Sequence, residues 1–149
     1  LRNAGKIDGL VIASPSNPTG SVLGGTELHA LSAYCNDTHI RMISDEIYHH
    51  VTYEGTAFDT ILRHNNEAIV VNSFSKYFLL PGWRLGWAVM PERLVRSYES
   101  LLQSFFISPP AISQYAALKT FDHQEELHAT VEEYAKNRDV LKNVLELLG

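Results

Sequence analysis

The chain has 149 residues, 45% of them apolar and 19% charged, which suits one globular domain with an ordinary core. Its formal net charge of −5 argues against a general nucleic-acid or anionic-membrane binder, because such proteins carry an excess of Lys and Arg. Cys35 is the only cysteine, so no internal disulfide can form, and no apolar run reaches the roughly 20 residues of a membrane span. No signal peptide is visible, and a soluble cytoplasmic protein is expected.

Residues 8–13 are a continuous apolar run, the pattern of a strand covered on both faces. Two prolines and a glycine then break it into a loop at residues 14–20. Thr26 is expected to cap the next helix, with Glu27 in its first turn. Leu28, Leu31 and Cys35 (or Tyr34) fall on one face of that helix. Residues 40–44 read as a second buried strand, and residues 51–66 carry only a weak pattern, with a short turn expected near 59–63.

Residues 68–72 make the third strand, and 84–90 the fourth. Pro91 and Glu92 start a helix, a position where proline is tolerated. Its apolar stripe includes Leu94, Tyr98, Leu101 and Phe105 at helical spacing. Shorter and longer helices are expected over 111–121 and 125–148, the latter with Leu127, Val131, Tyr134, Leu141, Leu145 and Leu148 in register. Strands alternating with helices predict an α/β fold, a mostly parallel sheet in a three-layer α/β/α arrangement. The link between strands three and four is too short for a parallel crossover, so these two should pair antiparallel or pack through a compact turn, which brings Arg84 back beside Ser73 and Lys76.

Asn17, Asp45 and Lys76 each lie at or just beyond the C-terminal end of an expected strand, where open α/β sheets bind ligands. A lone lysine is usually a solvated charge, and a lone Asn before proline is usually a turn residue. Three polar groups from three loops meeting at one crevice outweigh those bland readings. A lysine there could form a Schiff base with an aldehyde cofactor, while serine hydroxyls and an arginine could hold its phosphate. His49 and His50 are adjacent, a poor spacing for metal ligation, and no metal site is expected. Gly82 and Gly86 make no dinucleotide fingerprint, Trp83 and Trp87 read as packing residues, and Tyr77 receives no role.

Three motifs carry a resemblance: Ser14-Pro15-Ser16-Asn17-Pro18-Thr19-Gly20, Asp45-Glu46-Ile47-Tyr48, and Ser73-Phe74-Ser75-Lys76 with Gly82-Trp83-Arg84-Leu85-Gly86. In this order and spacing the chain resembles the class I/II aminotransferases, pyridoxal-phosphate enzymes of the aspartate aminotransferase fold, fold type I. The resemblance spans essentially the whole chain and is specific for the family, much less so for the substrate. It implies that Lys76 is the Schiff-base lysine and proton carrier. It implies that Asp45 pairs with the pyridine nitrogen, and that Tyr48 and Asn17 bond the phenolic oxygen. Ser73 and Arg84 would be phosphate ligands. Ser75 would join them only if the strand continues past Ser73.

The resemblance also implies an α-amino group moved from an amino acid to a 2-oxo acid, in a homodimer. The family's glycine-rich phosphate segment, its ring-stacking aromatic and its carboxylate-gripping arginine have no counterpart here, so a segment of a longer protein is expected. Residues 1–123 would be the second half of the cofactor-binding large domain, and 124–149 a long helix toward a small domain. Leu80-Pro81-Gly82 is similar to the branch that makes cyclopropane amino acids. That keeps open a lyase or a cyclopropane-forming synthase on the same fold. A third alternative is the ligand-sensing domain of a transcription regulator.

Overall fold

The four apolar runs form β1 (Gly9–Ala13), β2 (Arg41–Asp45), β3 (Ile69–Ser73) and β4 (Gly86–Val89). The structure, a computed structural model, describes residues 7–148. Residues 1–6 and Gly149, the outer limits of the two expected units, lie outside the described residues. The strands build one sheet in the order β1-β2-β3-β4, parallel across the first three and antiparallel between β3 and β4. The short link thus sets the direction of β4, as its length requires.

Helix α1 (Gly25–Asp37) packs on one face of the sheet. Alternation puts Met42 and Val70 on that face, where they bury with Leu28, Cys35, Ile40, Ile61 and Ala68. Cys35, not Tyr34, completes the helix face, since Tyr34 is exposed. The helix starts two residues earlier than a Thr26 cap would place it. Gly24 is the cap residue, and Glu27 Oε2 accepts its amide at 2.7 Å, which satisfies one of the free amides of the first turn. The expected turn near 59–63 is a 3-10 turn, Ile61–Arg63, whose Thr60 cap accepts from the Leu62 amide.

On the opposite face, α2 (Glu92–Phe105) stands across from Ile43, Ile69, Val71 and Ala88 with an apolar groove of about 1140 Å³ between them. Helices α3 (Ala111–Thr120) and α4 (Gln124–Leu148) follow. The α4 stripe buries only at its start: Leu127 is buried and Val131 half-buried, while Tyr134, Leu141, Leu145 and Leu148 are exposed. Arg138 ties α4 back, stacking 4.8 Å from the Tyr53 ring and donating to Glu54 Oε1 at 2.5 Å. Among the described residues, no helix is long and apolar enough to cross a membrane, and no group of three or more His, Cys, Asp or Glu side chains could hold a metal ion.

Candidate active site

The C-terminal ends of β1, β2 and β3 lie side by side because the three strands run parallel. Each end is stitched to the next: the Ser14 amide donates to the Asp45 carbonyl at 3.1 Å, and the Glu46 amide to the Val71 carbonyl at 2.9 Å. Past β1, buried Ser14 accepts the Leu23 amide on its hydroxyl, and the loop closes on itself through Gly20 to Ser16 and Ser16 to Ser21. Gly20 holds φ at +69°, where a side chain would be strained. The Ser14–Pro15 and Asn17–Pro18 bonds are both cis. This closed loop presents Asn17 outward, and its Nδ2 donates to the Tyr48 hydroxyl at 3.1 Å.

Asp45 is the last residue of β2, and its Oδ1 accepts the Ile47 amide at 3.0 Å. Register sets Asp45 opposite Val71, so it shares a sheet face with Val71 and, two residues on, Ser73. Lys76 lies three residues beyond β3, exposed, with Nζ 5.4 Å from the centre of the Tyr48 ring. That is within the range of a cation–π contact. Tyr48 therefore joins two concavities. One of about 440 Å³ is lined by Asn17, Tyr48, Tyr53 and Arg138; the other, about 310 Å³, by Tyr48, Ser75, Lys76, Pro81 and Tyr134.

The serines and Arg84 line the end of the large apolar groove. Strand β3 stops at Ser73, so strand alternation is not what brings Ser75 there. A tight turn does: the Ser75 amide donates to Ser73 Oγ at 3.1 Å. Arg84 is not the first residue of a strand as expected, because β4 begins at Gly86. It ends the 3-10 turn Pro81–Trp83 with φ 51° and ψ 47°, and its Nη1 donates to the Pro81 carbonyl at 2.8 Å. Gly86 lets β4 approach: a Cβ there would stand 2.7 Å from the Asn72 carbonyl oxygen and 3.0 Å from Ser73 Cβ. Ser73, Ser75 and Arg84 thus share one groove, and Lys76 faces the neighbouring concavity, the two meeting at Ser75. Asp45 lines none of these three concavities.

Two groups escaped the sequence reading. Glu46 is 3% exposed, and its Oε1 accepts from Ser44 Oγ, Thr60 Oγ1 and the Ile61 amide. Alternation through Ile40, Met42 and Ser44 was the available signal, since it carries Glu46 to the core face and Asp45 to the other. Tyr77 is buried and contacts His128 of α4 through its hydroxyl at 3.3 Å, while His50 packs on its ring at 4.8 Å. Both tryptophans are exposed; Trp87 packs against Phe74 at 5.1 Å, whereas Trp83 makes no ring contact among the described residues.

Known proteins resemble this chain in sequence and fold. A family model described as aminotransferase class I and II matches residues 1–149. The chain is 41% identical over 144 residues to a valine–pyruvate aminotransferase of Mycobacterium tuberculosis, covering 95% of this chain and 37% of that protein. It is 35% identical over 144 residues to an aspartate/prephenate aminotransferase of Thermus thermophilus, covering 94% and 37%. A crystal structure of an aminotransferase from Mycobacterium tuberculosis superposes with a TM-score of 0.94 at 39% identity, covering 99% of this chain and 41% of that one. The chain therefore spans about two fifths of the length of these relatives. A lysine, a carboxylate and a hydrogen-bonded Asn–Tyr pair, gathered at the ends of three parallel strands, accompany a match along the whole sequence: this chain belongs to the class I and II aminotransferase family.

Proposed function

We propose that this chain supplies the lysine-bearing part of a pyridoxal-phosphate site, in a protein that moves an α-amino group from an amino acid to a 2-oxo acid. The enzymes of the family use pyridoxal phosphate, and the donor set here suits that group. It offers one amine, two hydroxyls with a guanidinium, one carboxylate and a neutral Asn–Tyr pair. When bound, the cofactor supplies an aldehyde and an electron-accepting ring. Lys76 Nζ would hold the cofactor at its aldehyde, and as a free amine would carry the proton removed from the substrate α-carbon. Asp45 holds a proton on the ring nitrogen. Tyr48 and Asn17 donate to the phenolic oxygen and favour its anionic form. Arg84, Ser73 and Ser75 bind the phosphate, for which a planar guanidinium offers two parallel donors.

The observation that carries this reading is the meeting of three loops at Tyr48, whose hydroxyl takes the Asn17 amide while its ring faces the Lys76 ammonium. Within the same proposal, residues 1–123 form the second half of a large domain and residues 124–149 a helix leading toward a small one, in a cytoplasmic homodimer. The two-fifths share of its relatives' length and the exposed second half of α4 support that division. The whole protein, incubated with pyridoxal phosphate, should turn yellow and lose its absorbance band on borohydride reduction. Mass spectrometry should then find a pyridoxyl group on Lys76. A pyridoxyl group elsewhere, or none, refutes the assignment.

A further inference from the structure

Glu46 is a buried carboxylate between the two functional residues of its turn, Asp45 and Tyr48. Burying a carboxylate is costly unless hydrogen bonds satisfy it, and this one is well supplied. Oε1 accepts from Ser44 Oγ at 3.1 Å, Thr60 Oγ1 at 3.1 Å and the Ile61 amide at 3.0 Å. Oε2 faces His49 Nδ1 at 3.5 Å. The other ring nitrogen, His49 Nε2, is buried without a hydrogen-bond partner among the described residues. Backbone bonds complete the clamp: the Glu46 amide is held by the Val71 carbonyl, and the Glu46 carbonyl accepts the His49 amide at 3.0 Å.

Residue 46 is therefore fixed from β3 through its backbone, and from the 3-10 turn at residues 61–63 through its side chain. Among the described residues nothing comparable holds the Tyr48 side chain, whose hydroxyl accepts from exposed Asn17. We propose that Glu46 is a positioning residue: it sets the orientation of Asp45 and Tyr48 by locking the turn between them to the Thr60 hydroxyl and the Ile61 amide. It touches neither substrate nor cofactor. The purpose is preorganisation, since donors act on a developing charge only when held in place beforehand.

The proposal deepens the pyridoxal-phosphate reading and rests on it for one of its two readouts. The first readout needs no cofactor. Amide hydrogen exchange across residues 46–51 should quicken in Glu46→Leu and in Thr60→Val by roughly three- to tenfold, the worth of one net hydrogen bond. Exchange in β2 should stay as it was, and Glu46→Gln, which keeps the Oε1 acceptor, should stay near the parent. Thr60→Val carries the test alone if Glu46→Leu does not fold.

The second readout is the pH midpoint of the absorbance change of the Lys76–pyridoxal phosphate adduct. It should rise in Thr60→Val, because a loosened Tyr48 supports the phenolic anion less well. In a Tyr48→Phe background the same substitution should move the midpoint no further, because the effect passes through Tyr48. Unchanged exchange at residues 46–51, or a midpoint shift that adds in full to that of Tyr48→Phe, overturns the proposal. Failure to form any adduct on Lys76 in the parent protein overturns the cofactor reading instead and leaves the exchange test standing.

Discussion

Arg84 is a non-glycine residue at φ 51°, ψ 47°, in the left-handed region. That conformation costs an ordinary residue roughly 1–2 kcal/mol, and glycine occupies it freely. An arginine kept where glycine fits better points to a use for the guanidinium, and among the described residues its Nη1 reaches only the nearby Pro81 carbonyl. Arg84→Gly should leave the unfolding free energy unchanged or raise it by up to about 1 kcal/mol in urea denaturation, as backbone relief offsets added unfolded-state entropy. The same substitution should weaken pyridoxal-phosphate binding by about tenfold or more in equilibrium dialysis, because a charge-assisted pair is lost. Loss of stability with unchanged affinity would instead make Arg84 a structural residue. At this scale the placement of Asn17, Asp45 and Lys76 at or beyond three strand ends was legible because apolar runs mark those ends, while Tyr48 was singled out by the family resemblance. Ser75 was ambiguous because its place depends on where β3 stops. Glu46 was hidden because a charged residue in a loop motif reads as exposed unless alternation is followed one residue past the strand.

At the scale of elements, apolar runs located all four strands, and the short connection set the direction of β4. Boundaries were less legible. The fourth strand was expected from Arg84, but Arg84 is the left-handed residue that ends the 3-10 turn, and the strand begins two residues later at Gly86. The cap of α1 moved to Gly24 because Glu27 could reach that amide. The turn after β2 has a property that no pattern revealed. Burial pushes the His49 imidazole below its ordinary value, against the opposite pull of Glu46, the Ser14 carbonyl and Asp59. Burial does the same to His50, helped by the neighbouring His49 and His128. Both rings therefore bind fewer protons when folded than the unfolded chain does, and stability must fall as pH drops through the unfolded value of about 6.5. Thermal unfolding should show a midpoint lower at pH 5.5 than at pH 7.5, with the difference reduced in His50→Asn. A midpoint flat or rising toward acid would show that these rings are not held neutral.

At the scale of the whole molecule, helical stripes announce which face is apolar and say nothing of what lies against it. The α1 stripe meets the sheet and disappears into the core. The stripes of α2 and α4 do not: Phe105 is 74% exposed and Leu148 77%. Ile107, between α2 and α3, is 80% exposed. On the outer strand β1, Val11 is 70% exposed on the face away from α1. Fully burying one such side chain stabilises by about 1.5–3 kcal/mol, so several exposed together favour association. The net charge of −5 opposes this only at long range, and salt screens it. The 149-residue chain should therefore associate reversibly as its concentration rises, with sedimentation velocity giving a growing weight-average mass. Added salt should strengthen the association, because it screens the repulsion and leaves the apolar contact intact. The double variant Phe105→Glu, Ile107→Glu should shift the chain back toward monomer, since each carboxylate would have to be desolvated in the contact. A single monomer mass at every concentration and salt would mean that these side chains are tolerated in water as they stand, and that association is not how this fold covers them.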